Sequence, residues 1–172
     1  MKKFELTAEF VTNVFGKKLF RIKALVAFGD VEKGELGGFI EKEDNISHSG
    51  NAWVSGNAQV SGDAQVSGDA WVSGDAWVSG NAQVSGNAQV SGNADFAVVT
   101  GFGRYFRATT FFRCKDKILR VQCGCFYGDL AQFREIVKKT HGVSKYAKEY
   151  LAIADLMELH FSDEEEKQDA DE

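Results

Sequence analysis

The chain of 172 residues has no proline, only three cysteines and three histidines, and no long apolar run. Met1-Lys2-Lys3 leads into Phe4-Glu5-Leu6 rather than a hydrophobic stretch, so neither a signal peptide nor a membrane span is expected. Cys114, Cys123 and Cys125 are an odd number without an export signal and read as reduced thiols of a cytoplasmic protein. Cys123-Gly124-Cys125 lacks the second ligand pair and the histidines of a zinc site, so no metal is expected. No Walker loop or dinucleotide fingerprint occurs, and no Ser-His-Asp arrangement follows from the spacing. No cofactor and no catalytic residue is therefore assigned. The absence of proline has no physical explanation in the rest of the sequence.

Charge is also unevenly supplied. The net of −5 conceals an acidic end: residues 162–172 hold seven acidic residues and Lys167, a net of −6. Such a segment, free of aromatics, is expected to be a disordered solubilising tail, or else a mobile cover over a basic surface.

What is present in abundance is a repeat. Eight consecutive six-residue units from Ser49 to Phe96 follow S-G-N/D-A-x-V, with Phe96 closing the valine series. A unit that short cannot bury its own apolar face and must stack on its neighbours. In Ala-x-Val the outer pair points to one side of a strand and the middle residue to the other. Ser-Gly-Asn/Asp supplies the turn, with Gly free to take positive φ and Asn or Asp tolerating the left-handed region. Strand and turn alternating every six residues close a triangular coil every eighteen, and residues eighteen apart should stack at about 4.8 Å.

Val54-Ser55-Gly56-Asn57-Ala58-Gln59 and the units after it resemble the hexapeptide-repeat proteins, whose fold is a left-handed parallel β-helix. The resemblance covers 48 of the 172 residues; the handedness is what it implies, because the spacing shows only a short-period solenoid. The outward positions then form three columns: Trp53, Trp71 and Gln89; Gln59, Trp77 and Asp95; Gln65 and Gln83. Asp63, Asp69 and Asp75 belong to consecutive units, so like charges never stack at strand spacing. Outward tryptophans on a Gln-rich surface demand a partner. Either the flanking segments or another subunit cover them, or they form a ligand-stacking platform.

The expected class is mainly β, in four segments: an N-terminal β cap (1–38), the repeat solenoid (39–96), a C-terminal hairpin with two helices (97–161), and the acidic tail (162–172). Phe4, Leu6, Ala8 and Phe10 alternate as in a strand, and Leu19 to Ala27 is a second β-rich run. Ile40 and Ile46 keep the period, but Ile46 to Val54 is two residues too long, and His48 sits in that interruption. Thr109–Cys114 and Ile118–Cys125 read as a hairpin, with Leu119, Val121, Cys123 and Cys125 on one face. Asp129 and Gln132 form a capping box for a helix that Gly142 ends, and Ser144 starts a second running to about His160. That second helix is apolar around much of its girth, which suits packing between subunits.

The whole chain resembles a group of small proteins of tailed bacteriophages and prophages. The resemblance rests on Arg21-Ile22-Lys23-Ala24-Leu25, Gly37-Gly38-Phe39-Ile40-Glu41, Thr109-Thr110-Phe111-Phe112, Cys123-Gly124-Cys125-Phe126, Thr140-His141-Gly142 and Lys148-Glu149-Tyr150-Leu151. It implies a bacterial host cytoplasm and little mechanism. Where that group reads G-P-I-G-S-R, this chain has Thr100-Gly101-Phe102-Gly103-Arg104. The group's loop chemistry is therefore not carried over.

Hexapeptide solenoids include acyltransferases, which resemble one another in a general-base His between subunits and a loop that holds the acyl carrier. Here the eight units contain neither a His nor an inserted loop. Between residues 97 and 128, Arg104, Arg107, Arg113, Lys115, Lys117 and Arg120 face only Asp116, with Tyr105, Phe106, Phe111 and Phe112 interleaved. That is either a solvated hairpin with an aromatic underside or an anion site for a nucleotide or nucleic-acid backbone, formed by Arg104, Arg107, Arg113, Lys115 and Arg120. Trp53, Trp71, Trp77, Tyr146 and Tyr150 are the candidate interaction surface. Three function classes stand. The first is a non-catalytic phage accessory protein, a homo-oligomer and by resemblance a trimer, that binds a host protein and blocks antiviral defence. The second is a binder of a nucleotide-like anion at subunit clefts, and the third an acyltransferase.

Overall fold

A computed structural model of the chain describes residues 1–162. The acidic end, apart from Ser162, lies outside the described residues, and so does the expectation attached to it. β1 (Phe4–Thr12), β2 (Lys18–Ala24) and β3 (Leu36–Ile40) form an antiparallel meander. Its register shifts between Leu6 and Phe10, and Phe10 is exposed. The expected unbroken alternation from Phe4 to Phe10 is corrected by that irregularity: four steps along β1 from Leu6 to Phe10 stand against two along β2 from Ile22 to Phe20, so two extra residues bulge out of the ladder.

The repeat yields seven two-residue strands: β4 (Trp53–Val54), β5 (Gln59–Val60), β6 (Gln65–Val66), β7 (Trp71–Val72), β8 (Trp77–Val78), β9 (Gln83–Val84) and β10 (Gln89–Val90). They pair in parallel at an offset of eighteen residues, β4 with β7, β7 with β10, β5 with β8, and β6 with β9. Every Ala from Ala52 to Ala88 and every Val from Val54 to Val90 is buried. The mean offset changes to twenty only at the start, where Phe39 pairs with Gln59 and Ile46 with Val66. Those are the two extra residues seen in the sequence.

Each turn closes with the Ala N–H donating to the Ser carbonyl, as from Ala58 to Ser55 at 3.3 Å. Glycine alone has a positive φ there, +63° at Gly56; the following Asn or Asp does not. A positive φ confined to the first central residue is the type II′ arrangement. The expected left-handed Asn or Asp is thus corrected: those residues serve the column instead, as when Asn51 Nδ2 donates to Asp69 Oδ1 at 3.0 Å.

β3 belongs to two structures at once, antiparallel to β2 and parallel to β5. Gly37 makes this possible. A Cβ there would stand 2.5 Å from the Val54 carbonyl oxygen and from Ile22.

The backbone bonds that flank the paired dipeptides run in one direction, from each coil to the next. The Trp53 N–H donates to Ala70 O at 3.0 Å and the Trp71 N–H to Ala88 O at 2.9 Å, so each rung donates to the next. The first rungs therefore leave carbonyls without backbone donors, and the last leave N–H groups without acceptors. At the start, Lys3 Nζ donates to Gly50 O and Ala52 O at 3.3 and 2.8 Å. The Asn45 amide donates to Gly62 O and Ala64 O at 3.1 and 2.8 Å. At the other end the Gln83 N–H donates to Thr110 Oγ1 at 3.0 Å, and the Trp77 N–H to Asn93 Oδ1 at 2.8 Å.

The C-terminal part is an antiparallel sheet of β11 (Phe96–Val99), β12 (Thr109–Arg113), β13 (Leu119–Cys123) and β14 (Phe126–Asp129), covered by α1 (Leu130–His141) and α2 (Lys145–His160). The capping box at Asp129 and Gln132 forms as the sequence indicates, and so does the Gly142 end, at φ +60°. Phe96, Val98 and Phe112 pack on the repeat core, whereas Ala97, Val99 and Phe111 pack on the helices. Strand alternation makes this sheet the partition between two cores. β13 ends at Cys123, so Cys125 is exposed and does not share the face expected for it. The two-residue turn Gly124-Cys125, with Gly124 at φ +58°, reverses the chain into β14 before the alternation reaches Cys125. Among the described residues no helix is long and apolar enough to cross a membrane.

Candidate functional site

The residues between β11 and β12 form the most exposed aromatic stretch among the described residues. Tyr105 is 65% exposed and Phe106 70%, with Phe102 also open to solvent. Phe106 has φ +55°, a region that a bulky side chain rarely adopts. α2 holds the base of this loop. The Gly103 N–H donates to Glu149 Oε2 at 3.1 Å, the Tyr150 hydroxyl donates to Phe102 O at 3.4 Å, and Gly103 lies flat against the Tyr150 ring, with no room for a Cβ. A strained aromatic conformation persists only where its surroundings over-determine it; the anchors hold the chain at Phe102 and Gly103, the residues that lead into it.

Arg104 and Arg107 lie either side of Tyr105, their guanidinium carbons 5.6 and 5.1 Å from the ring centre. Neither makes an ion pair or a hydrogen bond to a described residue. Beneath them lies a cavity of about 330 Å³. Its wall comes from the loop, from the Cys123–Phe126 turn, from Phe133, Ile136, Val137 and His141 of α1, and from Tyr150 of α2. The lining is mostly apolar. His141 stacks on Tyr150 with ring centres 5.8 Å apart, and Phe133 meets the same ring edge-on at 5.8 Å. Burial, helped by the neighbouring Cys123, pushes the Tyr150 hydroxyl up to about 12, so it stays protonated and donates.

The five basic residues expected to form one anion site do not come together. Arg113 and Lys115 line a different cleft, of about 580 Å³, beside Trp71 and Asp30. Arg113 there faces Asp95 at 3.6 Å and donates to the Phe161 carbonyl at 3.4 Å. Arg120 makes two 2.8 Å bonds to Asp116 and reaches Asn87 at 3.4 Å. Its charge is already matched. The single cluster is thus corrected to Arg104 and Arg107 alone: they precede β12, Arg113 and Lys115 lie at and beyond its far end, and Arg120 stands opposite Phe112 on the repeat side of the sheet.

The candidate surface is corrected too. Trp53, Trp71 and Trp77 occupy the outward columns, with Trp53 opposite Trp71 and Gln59 opposite Trp77. Trp53 is nevertheless fully buried, edge-on to Phe28 at 5.3 Å and Phe4 at 6.5 Å. The N-terminal cap covers it, and its indole N–H has no partner among the described residues. Trp71 is half-buried and donates to Ser55 Oγ at 2.9 Å, while Trp77 is 37% exposed. Tyr150 is buried and Tyr146 half-buried, 6.1 Å from the His141 ring. Phe133, Ile136 and His141 escaped sequence reasoning as site residues. The apolar stripe of α1 was visible, but not that its edge is left open beside the loop.

Residues 64–80 match the family model described as the YdcK Beta solenoid repeat. That match is confined to the repeat and makes this segment similar to a β-solenoid repeat. Comparison with curated proteins finds no match.

Proposed function

We propose that the chain is a non-catalytic binding protein: a left-handed hexapeptide β-helix serves as scaffold, and the C-terminal module engages a partner. The observation that carries this reading is the Phe102–Arg107 loop. It sets Phe102, Tyr105 and Phe106 in solvent beside two arginines that no described acid neutralises. Exposed aromatics and arginines, held rigidly, are the composition of a binding hot spot. The partner is a bacterial host protein or complex, and the setting is a phage accessory protein acting in the host cytoplasm against antiviral defence. Assembly as a trimer fits the hexapeptide resemblance and the apolar residues exposed on the helical module, Val143, Leu156 and Leu159.

A second reading, a site for a nucleotide-like anion, is favoured by Arg104 and Arg107 flanking one aromatic ring above a cavity. An acyltransferase finds no such support, since His141 is engaged by two rings, stacked on Tyr150 and edge-on to Tyr146. The test is affinity capture from host lysate by the intact chain and by the double variant Tyr105→Ser/Phe106→Ser. A band retained by the first and lost by the second, with unchanged circular dichroism, is the expected result. Identical capture by both would overturn the reading.

A further inference from the structure

Resting on that assignment of the loop as the binding face, we infer that the cavity beneath it takes a small amphipathic anion. Its chemistry is an aromatic or medium-chain aliphatic group bearing one carboxylate or phosphate. Three observations converge. The volume, about 330 Å³, lies at the small end of ligand cavities. The base is apolar, built from Phe126, Phe133, Ile136 and Val137, and has few polar atoms to read the edge of a polar ring. The mouth carries Arg104 and Arg107, neither paired with a described acid.

An apolar group entering the base would draw both guanidinium groups partly out of water. An anionic head compensates that loss with charge-assisted hydrogen bonds; a neutral or cationic head does not. Both guanidinium groups stand against the one Tyr105 ring, at 5.6 and 5.1 Å from its centre, which keeps the two charges close together at the mouth. The cleft at Arg113 is a built-in contrast. There Asp30 and Asp95 share the lining with Arg113, Lys115 and Lys117, so most of the cationic charge is offset.

The probe is 8-anilinonaphthalene-1-sulfonate, an aromatic anion whose fluorescence rises in apolar sites, added to the full chain. Competitors are 4-phenylbutyrate, 4-phenylbutanol and 4-phenylbutylamine, which share one apolar group and differ in the head. Saturable one-to-one binding is expected, with the butyrate displacing the dye at least about tenfold better than the amine. The Arg104→Gln/Arg107→Gln variant should lose about tenfold in affinity. Ile136→Trp, at a half-exposed wall position, should remove binding by filling the space, while Lys115→Gln/Lys117→Gln should leave it unchanged. Raised salt should weaken binding. No saturable binding, equal displacement by all three heads, or unchanged affinity in the arginine variant would each sink the inference. Partner capture that survives such a failure would leave the proposed function standing. Lost capture by Tyr105→Ser/Phe106→Ser with dye binding intact would remove that function alone.

Discussion

The two ends of the repeat solve opposite chemical problems. The first rungs present carbonyls, and the chain answers with donors, the Lys3 amine and the Asn45 amide. The last rungs present N–H groups, and the chain answers with acceptors, the Thr110 hydroxyl and the Asn93 amide oxygen. Aromatic side chains plug both flanks as well: Trp53, on the outer face of the repeat, packs with Phe4 and Phe28 under the N-terminal meander, and Phe112 packs on the repeat core. The two ends of this array are not equivalent, because the bonds that flank its paired dipeptides run from the N–H of one coil to the carbonyl of the next. The difference teaches that the flanking segments are specific to the end they close.

The largest effect should come from removing the plugs. Trp53→Ala and Phe112→Ala should each cost about 3–5 kcal/mol in urea unfolding, since both side chains are fully buried. If only Phe112→Ala is that costly, the N-terminal cap is a loose cover rather than part of the fold.

Next come the polar caps. Asn45→Ala orphans the Gly62 and Ala64 carbonyls and should cost about 1–3 kcal/mol. Thr110→Val removes a single acceptor from Gln83 and should cost less, about 1–2 kcal/mol. Equal costs, or a larger one at Thr110, would break the asymmetry between two orphaned groups and one.

The smallest effect is one of pH. Burial depresses Lys3 to about 8 from its ordinary 10.5. Between those values the unfolded chain binds more protons than the folded one, so Lys3 makes stability rise with pH across that window. Cys114, pushed up by burial, acts in the opposite direction from pH 9 upward. The slope difference between the parent and Lys3→Met isolates the lysine. A parent slope no steeper than that of the variant would contradict a buried amine at the first rung.

Much of this was legible in the residues because it is local. The six-residue spacing announces the buried Ala and Val, the two surplus residues before Val54 announce the shift to a twenty-residue offset, and Asp129 with Gln132 announces the start of α1. The candidate site was legible only in part. Arg104 and Arg107 stood out as basic residues among aromatics, but their separation from Arg113, Lys115 and Arg120 depends on how β12 carries the chain away from the loop and on the face that Arg120 occupies. Trp53 and Trp77 look equivalent in the repeat, yet one is buried and the other open. Only the path of the N-terminal meander distinguishes them.

By itself the sequence determined the parallel repeat, its inward Ala and Val, and the limits of both helices, because each follows from spacing and capping between near neighbours. Tertiary structure alone decided that β12 divides two cores, that Lys3 reaches Gly50 and Ala52 across the fold, and that α1, α2 and the Arg104–Arg107 loop enclose a cavity. Those features join residues far apart in the chain. No local preference encodes them, and they arise only when the packed elements bring separate faces within van der Waals reach.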